Sequence, residues 1–294
     1  MKSIPLEARL IAAAIYFIAA PFIGGLLSGV DRVISARMQG RKGPSIFQGF
    51  YDIVKLLSKQ RNCVNKIQVM YLGSFLFFII FTGALFFAGC DLLMIFFSLT
   101  TANIFLAVAA ASTNSPYATM GAQRELLQML AYEPMTLLTA VGFYVATGTF
   151  KSAEMLTQID LPAIVSLPGV FVGFLFILVI KLRKHPYDLS TSHHAHQEVV
   201  KGISTEFSGP VYALMELSHW YENVFLMGIV SMFFINNNPW SILWSIAASV
   251  IVYLVMILVD NTNARMKWDN MMKNTWIATM VLGALNIFIL HIFK

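Results

Sequence analysis

Glu216, His219 and Glu222 recur at intervals of three residues inside an otherwise apolar stretch. That spacing stacks neighbouring members along one side of a helix, within hydrogen-bond reach of each other. Two carboxyls and an imidazole placed this way can take up and release protons near neutral pH. A second set, Arg124, Glu125, Gln128, Tyr132 and Glu133, lies in another apolar stretch. Glu133 falls roughly 13 Å beyond Arg124 along a helix. Pro134 follows it and frees the carbonyl of Leu130. The competing reading of both sets is a static polar network that glues helices together. Glu216-x-x-His219 also matches half of a di-iron carboxylate site, but no second copy exists to complete it. His193, His194 and His196 cluster with Asp188, Glu198 and Glu206 in a polar segment. A metal site and a group of protonatable loop residues both fit that pattern.

These groups sit in a chain of 294 residues that is 57% hydrophobic and 12% charged. Soluble domains carry about twice that share of charge. The composition identifies an integral membrane protein and excludes an ordinary soluble enzyme or a nucleic-acid-binding domain. Ionisable groups inside such a protein cost several kcal/mol each, by rough estimate, and are functional candidates for that reason. The two cysteines, Cys63 and Cys90, are too few for an iron–sulfur cluster, which takes about four ligands.

A span needs about 20 apolar residues. The runs at about 10–30, 70–89, 92–111, 122–148, 161–182, 211–235, 239–259 and 275–293 predict eight transmembrane helices in one all-α membrane domain, residues 1–294. Span 4 carries Glu133 and span 6 carries Glu216, His219 and Glu222. Basic residues crowd onto the loops at 31–69, 183–210 and 260–274, with Lys181 and Arg124 at span ends facing the same side. Only Lys2, Arg9, Lys151 and Lys294 lie on the side of the termini. The positive-inside rule therefore puts the long loops in the cytoplasm and both termini outside. After Gly43-Pro44, the apolar residues Ile46, Phe47, Phe50, Ile53, Val54 and Leu57 keep helical spacing while Asp52, Lys55 and Lys59 fall off the stripe. This predicts a cytoplasmic amphipathic helix over about 45–59, either lying on the membrane face or serving as a shelf for a soluble partner.

Several motifs then resemble one family. Asp31-Arg32 through Met38-Gln39-x-Arg41-Lys42-Gly43-Pro44 is similar to the E-R-x…M-Q-x-R-x-G-P signature of the eight-helix subunit 1 of respiratory complex I. Gly121-Ala122-Gln123-Arg124…Tyr132-Glu133, Pro186-Tyr187-Asp188-Leu189, Thr205-Glu206-Phe207-Ser208-Gly209 and Arg265-x-Lys267-x-Asp269…Trp276 resemble further segments of it, in order, over nearly the whole chain. The Ser-Thr-Ser-His-His-Ala-His-Gln-Glu loop, His219 in place of a family glutamate, and Asp260–Arg265 depart from complex I. They look like the homologous subunit of membrane-bound, energy-converting [NiFe] hydrogenases of the ferredoxin-linked Ech type.

That resemblance implies a non-redox membrane subunit with no cofactor of its own. The [NiFe] centre and iron–sulfur clusters would sit in the hydrogenase large and small subunits and a ferredoxin-like subunit. Arg32, Arg37, Arg41, Lys42, His193, His194 and His196 would face those soluble partners. An antiporter-like membrane subunit would pack on the flank. Glu133, Glu216, His219, Glu222 and Asp260, fed by Asp188, Glu198 and Glu206, would form a polar track for H⁺ or Na⁺ coupling in a prokaryotic cell membrane. A quinone-chamber subunit of a complex I-type dehydrogenase and a purely structural anchor are the alternatives.

Overall fold

Proline, glycine and capping residues decide where the apolar runs become separate rods. The computed structural model describes residues 5–62, 65–158, 161–191, 201–238 and 240–293. Among them there is no strand, only an isolated bridge between Asp91 and Lys151. Helix α1 (Leu6–Met38) runs through Pro21. Helix α2 (Gln48–Ser58) stands where a helix is expected over 45–59. Helix α3 (Lys66–Phe87) starts on Asn65, whose side chain accepts from the Ile67 amide. Helix α4 (Leu92–Ala111) starts the same way on Asp91. Both caps satisfy donors that a helix start leaves bare. Helix α5 (Pro116–Thr147) opens with proline in its first turn and closes on Gly148 at φ 80°, a left-handed stop that glycine adopts without steric penalty. It begins six residues ahead of the expected Ala122.

Two short helices follow, α6 (Ser152–Gln158) and α7 (Ala163–Ser166). Helix α8 (Pro168–Lys181) comes next. The continuous fifth span expected over 161–182 is therefore corrected to a broken one. The physical reason is Pro168: its ring disfavours helical backbone at the residue before it, and Leu167 sits at φ −122°, ψ 45°. The bare amide of Val170 at the new helix start donates to the Asn286 side chain at 3.2 Å. Helix α9 (Pro210–Met232) carries Glu216, His219 and Glu222. Helix α10 (Ser241–Thr262) is followed by α11 (Trp268–Ala278), a π turn (Thr279–Ala284) and α12 (Leu285–Phe293), which form one rod.

Among the described residues, six rods are long and apolar enough to cross a membrane: α1, α3, α4, α5, α10 and Trp268–Ile292. Helix α8 has 14 residues, only about 21 Å of rise. Helix α9 is long enough, at 23 residues, but polar inside.

Helix α9 packs against α1, α2, α3 and α10, while α5 packs against α4, α8 and α11. Small residues permit the closest approach: a Cβ on Gly24 of α1 would collide with the Trp220 carbonyl of α9. The Trp220 ring in turn meets Phe50 of α2 edge-on, with centroids 5.2 Å apart. The segment 182–191 is tied down onto α5 and its neighbours. Gln128 donates to the Tyr187 carbonyl at 2.6 Å, and Arg265 donates to the Leu189 carbonyl at 3.2 Å. This fastening brings the end of α8 between α5 and α9.

Candidate functional site

The basic end of α8 forms the centre of the site. Its last turn closes with two reversed hydrogen bonds, from Arg183 N to Ile180 O (3.0 Å) and from Lys184 N to Val179 O (3.1 Å). This is the Schellman arrangement, whose left-handed position is usually glycine. Here that position holds Arg183 at φ 52°. A side chain with a Cβ costs roughly 1–2 kcal/mol in that conformation. The contacts of the guanidinium offset the strain.

Arg183 Nη2 lies 3.0 Å from Glu125 Oε1 of α5. Its Nη1 lies 2.9 and 2.8 Å from the two ring nitrogens of His219 of α9. Burial opposes the charge on Arg183, but Glu125 and then Glu222 more than restore it, so its pKa lies above the ordinary arginine value. Two residues earlier, Lys181 Nζ lies 3.5 Å from Glu222 Oε1, with the side chains 4% and 3% exposed. The same ammonium sits 4.3 Å above the Tyr132 ring centroid, a cation–π contact. The Tyr132 hydroxyl accepts from Asn103 Nδ2 of α4 at 3.3 Å. Glu222 Oε2 also lies 3.5 Å from His219 Nδ1. The acids of α5 and α9 are thus joined through the two cations of the α8 end.

A third cation extends the chain. Lys184 Nζ donates to Asp31 of α1 at 2.7 Å and to Asp260 of α10 at 3.2 Å, and Asp260 also accepts from the His185 amide at 2.8 Å. A cavity of about 310 Å³ connects the sets; Asp31, Lys181, Arg183, Lys184, Glu216, His219, Glu222 and Asp260 all line it. Such a volume with polar walls holds several waters. A second cavity of about 300 Å³ lies under α2, lined by Arg32, Asp52, Lys55 and Trp220 among others. Tyr212 and Glu216 line both.

The structure therefore brings His219, Glu222, Glu216 and Asp260 to one cavity wall. It leaves three other candidates apart. Glu133 forms no ion pair or side-chain hydrogen bond among the described residues; only its backbone carbonyl accepts, from Thr136. Glu206 sits in the turn before α9 and does not line the cavity. Asp188 is buried and bonded by the Thr191 hydroxyl. His193, His194, His196 and Glu198 lie outside the described residues, as does Cys63. Among the described residues no three His, Cys, Asp or Glu side chains converge as metal ligands would. Of the expected interface residues, Arg32 pairs with Asp52 of α2 at 2.6 Å, Arg41 bonds to Gln39, and Arg37 and Lys42 are exposed.

Sequence reasoning missed Lys181 and Arg183 as site residues, because charge at the end of an apolar run reads as a loop marker. The available signal was charge balance. Buried carboxylates need cations, and Lys181, Arg183 and Lys184 are close-set bases at the end of the run preceding α9.

An all-helical, multi-pass membrane protein with a charged seam inside its bundle is the class these features define. A family model described as NADH dehydrogenase matches residues 11–291, and the chain belongs to that family. Formate hydrogenlyase subunit 4 of Escherichia coli K12 is 28% identical, over 91% of this chain and 93% of its own. The H subunit of the NADH-quinone oxidoreductase of Dehalococcoides mccartyi strain CBDB1 is 26% identical, over 88% of this chain and 79% of its own. An H subunit of the NADH-quinone oxidoreductase of Geobacter metallireducens is also 26% identical, over 94% and 93%. These relatives are subunits of oxidoreductase complexes. The fold is shared with a chain of the archaeal membrane-bound sulfane sulfur reductase, at a TM-score of 0.85 and 23% identity, over 96% of this chain and 99% of that one.

Proposed function

We propose that this chain is the membrane-anchoring and coupling subunit of a ferredoxin-linked, energy-converting [NiFe] hydrogenase. It is one membrane domain of eight spans, with α7–α8 as the fifth and α9 as the sixth. The long loops face the cytoplasm and both termini face outward. Helix α2 and the residues Arg32, Arg37, Arg41, Lys42, His193, His194 and His196 receive the soluble hydrogenase and ferredoxin-like subunits. Those subunits hold the [NiFe] centre and the clusters, and this chain holds no cofactor. An antiporter-like subunit on its flank moves H⁺ or Na⁺. The match to formate hydrogenlyase subunit 4 over nearly full length supports the hydrogenase branch.

The observation that carries the reading is the seam from Glu125 through Arg183, His219, Glu222 and Lys181 to a cavity that ends on Lys184, Asp31 and Asp260. A series of buried, mutually paired charges transmits a change at one end to the next member. Glu216, His219, Glu222 and Asp260, which share the cavity wall, are its polar track. Asp188, Glu198 and Glu206 are the acids of the sequence that would feed it, and Glu133 of α5 stands apart from it, with no ion pair or side-chain hydrogen bond among the described residues.

The test is Glu222→Gln and Glu216→Gln in vesicles carrying the whole complex, with hydrogen evolution and ion uptake measured together. The expected result is hydrogen evolution without matching ion uptake. Normal uptake in both assembled variants would leave only an anchoring role. The matches to the NADH-quinone oxidoreductase subunits favour a second reading, a quinone chamber. The charged walls of the cavity suit a quinone ring and tail poorly, since pockets for such ligands are mostly apolar. Quinone-dependent turnover would decide for that reading.

A further inference from the structure

The cavity of about 300 Å³ under α2 is bounded by α1, α2 and α9, and it meets the first cavity only at Tyr212 and Glu216. Arg32 of α1, Asp52, Lys55 and Lys59 of α2, and Glu216 of α9 supply its charges. Three cations thus face two acids. Asp52 is already held, by Arg32 at 2.6 Å and by Gln48 at 2.9 Å. Lys55 and Lys59 form no ion pair and no side-chain hydrogen bond among the described residues. Trp220, on the inner wall, is buried, and its indole N–H has no acceptor among the described residues. Gly49, on the same wall, faces Cζ2, the ring atom on the Nε1 side. A buried donor without a partner is costly, so this edge of the cavity calls for an acceptor oxygen.

The neighbouring flank of α2 is apolar and bare. Phe47, Tyr51, Val54 and Leu57 are exposed, and so is Phe22 of α1, whose ring lies 6.4 Å from that of Phe50. Helix α2 has 11 residues, a rise of about 16 Å, which is too short to span a bilayer. A short helix with such a flank, beside a spanning rod, lies in the bilayer interface with its apolar side among acyl chains and its lysines at headgroup depth. A cationic cavity and a hydrocarbon flank side by side match the two halves of one molecule.

We infer that the cavity under α2 is a binding site for an anionic phospholipid, with the phosphodiester held by Lys55, Lys59 and the Trp220 N–H and the chains laid along the exposed flank of α2 and Phe22. Basic pockets between helices at a membrane face hold lipid headgroups in this way. The size agrees: the cavity takes a phosphate and its glycerol, and the chains stay outside. A quinone ring has no charge to answer the lysines, and an acidic peptide has nothing to lay on the flank. Bound there, the lipid fastens α2 to α9 and closes the side of the bundle next to Glu216. This inference goes beyond the coupling reading, and either can fail alone.

The intact complex, stripped of lipid in detergent and titrated with phosphatidylglycerol, tests the site through hydrogen exchange over Tyr51–Leu57. Protection should rise and saturate, and phosphatidylcholine, which carries no net charge, should need about tenfold more. Equal potency of the two lipids overturns the inference. Lys55→Gln with Lys59→Gln should raise the half-saturating phosphatidylglycerol concentration about tenfold or more. Lys267→Gln with Lys273→Gln removes two exposed charges at α11, which packs on α5 and α8, and should leave that concentration unchanged. The same shift in both double variants would mean diffuse surface attraction and no site. Inorganic phosphate that protects equally well without lipid would make this a free-anion site and overturn the lipid assignment. Should the Lys55 and Lys59 variant fail to assemble, the native complex solved in phosphatidylglycerol nanodiscs decides. A phosphodiester within hydrogen-bond reach of Lys55 and Lys59 is expected. A protein segment, a quinone or solvent alone in that place overturns the inference.

Discussion

Two ion-paired regions of this molecule differ in almost everything but the signs of the charges they join. At the α1–α2 surface, Arg32 and Asp52 meet at 2.6 Å with side chains 41% and 38% exposed. At the α8 end, Lys181 and Glu222 meet at 3.5 Å with both side chains almost fully enclosed. The shorter pair is the weaker one. Water solvates both partners of the surface pair whether or not they touch, and such pairs are worth about 0–1 kcal/mol. The buried pair has lost its hydration, so each member depends on the other. Burial, more than bond length, makes a charge pair able to carry a signal.

The sharpest way to break the comparison is to remove one member of each pair. Glu222→Ala strands an ammonium in the bundle and should lower stability by about 3–5 kcal/mol, read as thermal unfolding of the complex in lipid. The double change Lys181→Met with Glu222→Leu should recover most of that loss, because it strands no charge. A double variant as unstable as the single would show that the pair is not the source. Lys184→Met is intermediate. Its partners Asp31 and Asp260 keep side-chain exposures of 26% and 24%, so about 1.5–3 kcal/mol is expected, together with looser packing of α1 on α10 by hydrogen exchange.

The smallest effect belongs to the surface. Arg32→Ala or Asp52→Ala should change stability by no more than about 1 kcal/mol, and 0.5 M salt should erase even that, since screening acts on exposed charges first. The pH response sharpens the contrast. Burial raises the Asp52 pKa, but the hydrogen bonds from Arg32 and Gln48 outweigh it and hold the carboxyl below its ordinary value. A depressed carboxyl stabilises above its unfolded pKa and loses that contribution as pH falls through its folded one. The docking of α2, followed by proteolytic protection of Tyr51–Leu57, should therefore loosen only in acid below the usual carboxylate range. Loosening near neutral pH would contradict the assignment to Asp52.

Much of this was legible in the residues. The apolar runs located α3, α4 and α10 to within a few residues, because hydropathy over 20 positions is a strong signal, whereas α1 continues eight residues past the expected end at 30, to Met38. The break at Leu167 was written as Pro168 and was overridden by the length of the apolar run around it. The start of α11 at Trp268 lies seven residues before the expected Thr275, in a polar stretch that only its contacts make helical. Within the site, His219 and Glu222 stood out by their cost in an apolar helix. Their cations did not, because nothing in periodicity says that the end of α8 folds back between α5 and α9. That placement comes from tertiary fastening, through Gln128, Arg265 and the Asn286 brace, and local pattern does not encode it. Glu133 shows the converse: an expensive residue that the fold leaves without a charged partner among the described residues.

The left-handed backbone of Arg183 sets foldability against purpose. A laboratory lineage selected for nothing but heat resistance would drift toward glycine at 183, accompanied by an uncharged side chain at 125, and would become sturdier as it lost the wiring between two halves of the bundle. An arginine retained there under such pressure would mean that the whole assembly, rather than this chain, is being judged.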